Sequence, residues 1–347
     1  MERVLRVLVV DDSAYVRKVV KQMLSRSPFI EVVGAAREGT EALEMVEKLS
    51  PDVVTLDLIM PNMDGVAFLR EQMQRRPLPV VIVSIASEGG ESALAALDAG
   101  AVDFVQKPTA LATEKIFEIG DELIEKVKAA ANVPLSRLPA VPPRVGMPAP
   151  LIPEARSRKV DLVTIGISTG GPQALSFLIP QLPKDFPIPV AVVLHMPVGY
   201  TEMYARRLDQ MSQLTVVEAR EGEVLRPGVV LIAQAGRHLT FHRQADGTVV
   251  THLDARPFDT LHRPSVDVMF QSAAEVFGER VLGVVMTGMG SDGKQGAAWI
   301  KSHGGTIFTE AEETCVVYGM PRSVVEAGLS DKSVPLDRMA QAIVEVL

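Results

Sequence analysis

Two sets of residues in this chain of 347 have the types and spacing that chemistry needs. The first lies in the glycine-rich stretch VTIGISTGGP, residues 163–172. A turn of this composition either cradles a phosphate or lifts a hydroxyl. A phosphate loop ends in Gly-Lys-Ser/Thr, and no such lysine follows here. The dinucleotide fingerprint GxGxxG fails as well, because Ile167 and Ser168 stand where its second glycine belongs. What remains is GxSxG, a sharp strand-to-helix turn that raises Ser168 above a sheet. Its glycines tolerate strained backbone and Pro172 suits a first helical turn. The same spacing also fits a serine that only caps the helix.

A nucleophilic serine needs a base and an acid to orient the base. His195 ends the apolar run VAVVLHM and Asp292 lies in MTGMGSDG, so both sit where strands end, as Ser168 does. The order Ser–His–Asp differs from the Ser–Asp–His of α/β-hydrolases, which argues against a lipase-type enzyme. Five other histidines compete for the role of base. His238 and His242 are four apart in HLTFH, a strand-like segment without the glutamate of a zincin motif. His252 and His303 have no notable polar neighbourhood along the sequence. His262, in LHRPSVD ahead of a predicted helix, reads as a substrate-facing group or a cap. Cys315, the single cysteine, reads as a buried small residue rather than a nucleophile.

The second set is carboxylate-rich. Asp11 and Asp12 end one apolar run and Asp57 another; Ser84 and Lys107 end two more. Three carboxylates meeting at one sheet edge repel one another unless a hard cation such as Mg²⁺ takes them as oxygen ligands. A hydroxyl and an ammonium at the same edge then suit phosphoryl oxygens, and the chemistry is phosphoryl transfer to the Asp57 carboxylate. The competing reading is strand-end aspartates that cap the following helices.

These residues need scaffolds to bring them together. Over residues 1–125, short apolar strands (RVLVVDD, IEVVGAA, DVVTLDL, PVVIVSIA, VDFVQKP) alternate with amphipathic stretches such as SAYVRKVVKQMLSR and EGTEALEMVEKL. That alternation predicts a parallel sheet covered on both faces. Residues 159–347 repeat the theme with DLVTIGIS, VAVVLHM, VLGVVMTG and GGTIFTE, and a helix is expected from Thr201. They add β-rich material at 215–254 with a hairpin turning at Asp246-Gly247. Seven prolines between residues 130 and 158 mark an extended linker, assigned to 126–158. There is no internal repeat.

Charge narrows the function classes. Lys/Arg against Asp/Glu number 13 and 21 over residues 1–125, 6 and 1 over 126–158, and 16 and 21 over 159–347. Neither predicted domain has the basic face that nucleic-acid binding requires. No apolar run is long enough for membrane insertion, the N-terminus shows no signal-peptide pattern, and one cysteine fits a reducing compartment, so a cytoplasmic protein is expected.

Residues 1–125 resemble a response-regulator receiver domain over their whole length. The motifs GISTGGP, LHMP, HRPSVD and MTGMGSDG resemble the catalytic domain of the CheB family of chemotaxis protein-glutamate methylesterases. The resemblance implies an α/β protein of two doubly wound parallel-sheet domains, a flavodoxin-like receiver and a methylesterase domain, joined by the Pro-rich linker. It implies Ser168 as nucleophile, His195 as base and Asp292 as orienting acid, with the Met289 backbone N–H at the oxyanion and Thr169 beside the nucleophile. In the receiver it implies Asp57 as phosphoacceptor, Asp11 and Asp12 with Asp57 around Mg²⁺, and Ser84, Phe104 and Lys107 as switch contacts. No cofactor is implied for the ester reaction. The implied partners are methyl-accepting chemotaxis receptors as substrate and the histidine kinase CheA as phosphodonor. Glutamine deamidation is the implied second activity, and phosphorylation is expected to uncover the triad entrance. Ile167 departs from the family's usual Ala. The rival readings are a DNA-binding response regulator and a scaffold with an inactive triad.

Overall fold

The computed structural model describes residues 3–84, 90–107, 113–135, 138 and 160–347, with residues 113–118 described by their backbone alone. The chain divides into two compact units, Met1–Arg144 and Val145–Leu347.

In the first unit five strands alternate with five helices: β1 (Leu5–Val10), α1 (Ala14–Leu24), β2 (Ile30–Ala36), α2 (Gly39–Leu49), β3 (Val53–Leu56), α3 (Gly65–Arg75), β4 (Val80–Ser84), α4 (Gly90–Asp98), β5 (Asp103–Gln106) and α5 (Thr113–Ala131). All strand pairs are parallel, in the order β2-β1-β3-β4-β5. That is the flavodoxin-like winding, whose crevice opens at the C-terminal ends of β1 and β3. The strands read as nearly unbroken apolar runs because helices cover both faces; Val7, Leu8, Val53, Val54 and Val80 are fully buried.

One boundary shifts. The sequence places the start of the linker at residue 126, yet α5 runs on to Ala131. Leu123, Val127 and Ala130 continue its buried stripe, and Lys126 pairs with Asp103 at 3.2 Å and Glu122 at 2.9 Å, which anchors the turn to β5. The rest of the proline-rich stretch, apart from 132–135 and 138, lies outside the described residues, as does Pro108 after Lys107.

The second unit contains β6 (Leu162–Ile167), α6 (Gly171–Leu178), β7 (Val190–Leu194), α7 (Thr201–Met211), β8 (Thr215–Glu218), β9 (Val229–Ile232), β10 (His238–Arg243), β11 (Val249–Asp254), α8 (Val266–Phe277), β12 (Val281–Val285), α9 (Lys294–Ser302), β13 (Thr306–Glu310), α10 (Met320–Glu326), β14 (Lys332–Val334) and α11 (Leu336–Glu345). Seven of these strands form a parallel sheet in the order β14-β13-β12-β6-β7-β9-β8. The chain winds outward from β6 in one direction through β7 and in the other through β12, so β6 borders the switch point. The expected hairpin is β10–β11, antiparallel, with Gly247 at φ 88° in its turn. Leu239 and Phe241 of the hairpin pack on Met269, Phe270 and Ala273 of α8 in one buried cluster. Each of the buried leucine, methionine and phenylalanine side chains contributes about 1.5–3 kcal/mol. The hairpin is also tied to α8 by the Phe241 N–H, which donates to Ser272 Oγ at 2.8 Å.

Glycine sets how closely α8 approaches. A Cβ on Gly166 would collide with the Val266 side chain, and one on Gly296 would stand 2.9 Å from the Asp267 backbone. Helices α8 and α9 therefore begin almost against each other, at the C-terminal ends of β6 and β12.

Candidate active site

Strands β12, β6 and β7 are neighbours, and Asp292, Ser168 and His195 follow their respective C-terminal ends. The backbone ladder continues past the strands: Met286 N–H donates to Gly166 O, Ser168 N–H to Thr287 O, and His195 N–H to Ile167 O, at 2.9, 3.0 and 3.1 Å. Ser168 is thus pinned between its neighbours as β6 ends. Thr287 Oγ1 donates to Thr169 O at 3.0 Å, and Thr287 N–H is held by Oε2 of the fully buried Glu310 at 2.9 Å. Ser168 does not cap α6 with its side chain. Gly170 occupies the N-cap at φ 78°, where a Cβ would sit 2.6 Å from that of Val316. Ile167 is fully buried and packs beneath the turn, 3.1 Å from where a Cβ on Gly171 would stand. Met289 follows Gly288, whose absent Cβ would lie 2.8 Å from Ser168 Cβ.

His195 and Asp292 are joined. The imidazole Nε2–H donates to Asp292 Oδ2 at 2.8 Å, and both side chains are about nine-tenths buried. Asp292 also accepts from Val266 N–H, Asp267 N–H, Ser265 Oγ and Gly293 N–H, at 2.8–3.1 Å. Two of these donors are the first N–H groups of α8, which have no partner inside their own helix. The nominal N-cap, Ser265, makes no side-chain cap bond, and the carboxylate from across the site takes its place. Burial pushes the Asp292 carboxyl up, but His195 and the Asp267 and Val266 N–H groups outweigh it and hold the acid well below the usual carboxylate range. The carboxylate form is therefore the favoured one near neutral pH.

The other ring nitrogen, His195 Nδ1, is buried and has no hydrogen-bond partner. Ser168 Oγ does not reach it in this rotamer, so of the three residues the structure joins two and places the third at the adjacent strand end. Catalytic hydrogen bonds of this kind commonly close only when substrate binds.

The remaining histidines sort by environment. The ring of His262, expected to face substrate or to act as a cap, stacks on His195, centroids 4.0 Å apart and planes 22° from parallel. His238 points into the core and His242 outward, so the two do not form a zinc pair. Two readings need correction. His252 has a polar partner, its Nδ1 lying 2.9 Å from Glu221 Oε1, and so does His303, its Nδ1 lying 2.9 Å from Trp299 O. Glu221 is 31 residues from His252 in the chain, out of reach of any local reading. Cys315 is fully buried.

Asp267 was not among the candidates, yet it mirrors Asp292. Its Oδ1 accepts from Gly293 N–H at 2.9 Å and Gly296 N–H at 2.7 Å, capping α9 as Asp292 caps α8. Burial first, and then the facing Asp292 carboxylate, push its carboxyl up to about 6 against the pull of those N–H groups. The folded state therefore holds a proton that the unfolded chain releases from about pH 4 upward. This contribution to stability is complete below about pH 4 and is lost as pH rises through 6. Asp267→Asn carries the neutral form at every pH. It should match the wild type in thermal midpoint near pH 4 and exceed it above pH 6, a comparison differential scanning fluorimetry can make.

In the first unit, Asp11, Asp12 and Asp57 place carboxylate oxygens within 4.8 Å of one another. Lys107 Nζ bridges Asp11 at 2.7 Å and Asp57 at 2.8 Å. Burial raises the Asp11 carboxyl despite that ammonium, the environment of a group suited to a cation. Ser84 Oγ, at the same edge, is buried and has no hydrogen-bond partner among the described residues. Phe104 is buried, its N–H bonded to Asp103 Oδ1 and its carbonyl to Lys126 Nζ.

Among the described residues no helix is long and apolar enough to cross a membrane. Residues 163–343 match the model of the CheB methylesterase family, and residues 7–118 that of the response regulator receiver domain. The protein-glutamate methylesterase/protein-glutamine glutaminase 5 of Myxococcus xanthus is 53% identical over 339 residues, 96% of each chain. The protein-glutamate methylesterase/protein-glutamine glutaminase of Geobacillus kaustophilus is 45% identical over 349 residues, 99% of each. The crystal structure of the Thermotoga maritima CheB methylesterase catalytic domain superposes with a TM-score of 0.53 at 45% identity, covering 54% of this chain and 99% of that one.

Proposed function

Because the chain belongs to the CheB methylesterase family, with a receiver domain ahead of its catalytic unit, we propose a reaction path for it built on Ser168, His195 and Asp292. The protein is a methylesterase and glutaminase that hydrolyses glutamate γ-methyl esters and glutamine γ-amides on a protein substrate, as its relatives are named for, and serves chemotaxis.

Ser168 Oγ attacks the γ-carbonyl carbon while its proton passes to His195 Nδ1, the ring nitrogen with no other partner. Asp292, bound to Nε2, steadies the imidazolium. The oxyanion is held by the Met289 backbone N–H with Thr169 beside it; each such donor contributes about 2.7–4 kcal/mol on serine-hydrolase precedent. Collapse expels methoxide, which takes the proton from Nδ1 and leaves as methanol. Water then attacks the acyl-enzyme, again giving its proton to Nδ1, and the glutamate carboxylate departs as Ser168 is reprotonated. With a glutamine substrate the same steps release ammonia. The observation that carries this reading is the buried His195–Asp292 pair beside the serine turn on three adjacent strands.

Gly288 gives a sharp test of the serine's placement. A Cβ there would stand 2.8 Å from Ser168 Cβ, 3.1 Å from Ser168 N, and against Met320 Sδ. Gly288→Ala should lower kcat for methanol release about 100-fold, the scale of a 1 Å misplacement, while phosphorylation of the receiver proceeds at the wild-type rate.

In the receiver, which we assign to residues 1–131, the carboxylates of Asp11, Asp12 and Asp57 suit a divalent cation such as Mg²⁺. These three carboxylates would hold it, and its charge would offset that of the phosphoryl oxygens. Asp57 accepts the phosphoryl group from a histidine kinase of the CheA type, Lys107 leaves its carboxylate partners for phosphoryl oxygen, and the Ser84 hydroxyl gains a partner. Phe104, on the next strand, follows Ser84. Phosphorylation raises esterase activity on methyl-accepting chemotaxis receptors in the cytoplasm. The test is methanol release from methylated receptor membranes with and without a small-molecule phosphodonor. Release should rise with the donor in the wild type and stay basal in Asp57→Asn; a wild type that releases no methanol in either condition overturns the assignment.

A further inference from the structure

We propose that His238 is a positioning residue for the catalytic pair, acting through Ser265. The inference rests on the esterase reading above but is read out separately from it.

His238 is fully buried on β10, the antiparallel hairpin outside the main sheet. Its Nδ1 lies 3.2 Å from the Ser265 backbone N–H, which has a hydrogen to donate, so Nδ1 must offer a lone pair. The ring hydrogen therefore resides on Nε2, which donates to Pro257 O at 3.0 Å, with Thr260 Oγ1 at 3.3 Å. Only the neutral Nε2–H tautomer satisfies both ends. Burial favours that neutral form, aided by Arg263, while Pro257 O, Asp292 and Asp254 pull the other way; the balance keeps the imidazole below the usual histidine range.

One imidazole thus grips both ends of the segment from Pro257 to Ser265. Ser265 is where the grip meets the chemistry. Its Oγ donates to Asp292 Oδ1 at 2.9 Å, and Asp292 Oδ2 receives His195 Nε2–H at 2.8 Å. The path His238–Ser265–Asp292–His195 is buried along its whole length. Ser265 has the type and place of a helix N-cap but makes no cap bond, so its hydroxyl is committed to the acid. A backbone N–H held from behind fixes the direction in which that hydroxyl points. The same segment carries His262, whose ring stacks on that of His195.

The two ring nitrogens can be separated by amide substitution. In His238→Asn the side-chain oxygen takes the place of Nδ1 and still accepts from Ser265; in His238→Gln the amide nitrogen takes the place of Nε2 and still donates to Pro257. Both keep a polar side chain in the buried slot. In full-length protein, His238→Gln should lower kcat for methanol release about 10-fold with KM unchanged, the rate equivalent of one ordinary hydrogen bond. His238→Asn should stay within about twofold of wild type. In a Ser265→Ala background, His238→Gln should add almost nothing, because the link it loosens is already cut. The far-downfield proton resonance of the His195–Asp292 hydrogen bond should shift in His238→Gln and Ser265→Ala and hold its position in His238→Asn. That signal needs no turnover, so it tests the proposal even in a preparation that released no methanol. Equal losses in the Asn and Gln variants, losses that multiply in the double variant, or an unmoved resonance would each overturn it.

Discussion

Ser168→Ala should reduce methanol release from methylated receptor membranes by on the order of 10⁴- to 10⁶-fold, with the protein still folded and still phosphorylated at its receiver. The size follows from what the hydroxyl alone supplies. Without it no acyl-enzyme forms, and residual hydrolysis depends on water attacking a carbonyl that the oxyanion donors still polarise. Folding is spared because the backbone of Ser168, not its side chain, holds the turn: its N–H bonds Thr287 O and its carbonyl receives Gly171 N–H. Methanol trapping before and after addition of a phosphodonor measures both conditions in one preparation. Near-wild-type release from this variant would exclude an acyl-serine path.

The second large effect is expected from Asp292→Asn. Loss of the orienting carboxylate in a serine triad costs about 10⁴-fold in kcat, because the imidazole takes the wrong tautomer. Here stability should fall as well. Five donors bond the carboxylate: His195 Nε2 and Val266 N to one oxygen, Ser265 Oγ, Asp267 N and Gly293 N to the other. An amide nitrogen in either position sets donor against donor. Each buried N–H left unsatisfied costs about 1–3 kcal/mol. Because the native carboxyl lies far below its ordinary value, the wild type holds this advantage above about pH 4 and loses it progressively as pH falls further. The gap between the two thermal midpoints should accordingly narrow in acid. A variant with full stability but crippled turnover would mean that the first turn of α8 finds other acceptors.

The sequence carried the sheet well and its partners less well. Parallel strands buried on both faces announce themselves as apolar runs, so β1 to β5, β6, β7, β12 and β13 could be read along the chain, and their ends pointed to Ser168, His195, Asp292 and the receiver carboxylates. Three-residue β14 has too little pattern to read. The groups that hold the site were out of sight for another reason. Glu310, Ser265, Asp267 and His238 reach it across tertiary contacts between elements far apart in sequence, and a histidine in a strand looks alike whether it faces core or solvent. Ser265-Val266-Asp267 did hold a local signal, a serine and an aspartate at a helix start. That signal points to a local cap, whereas the acceptor for the first turn of α8 comes from Asp292 instead. The end of α5 was masked by the onset of prolines a few residues later, although Val127 and Ala130 still follow the helical stripe.

The placement of β6 between β7 and β12 has a consequence for how the molecule is made. On a ribosome β6 and β7 emerge together, but the strand that must lie along the opposite side of β6 arrives only at Val281, after the hairpin and α8. Until then a strand that is fully buried in the finished fold presents an open edge, the kind of surface that invites pairing with another chain. The nascent catalytic unit should consequently be most prone to aggregate, and most dependent on chaperones, just before β12 is released. Hydrolytic competence should appear abruptly with its docking rather than accumulate as the chain grows.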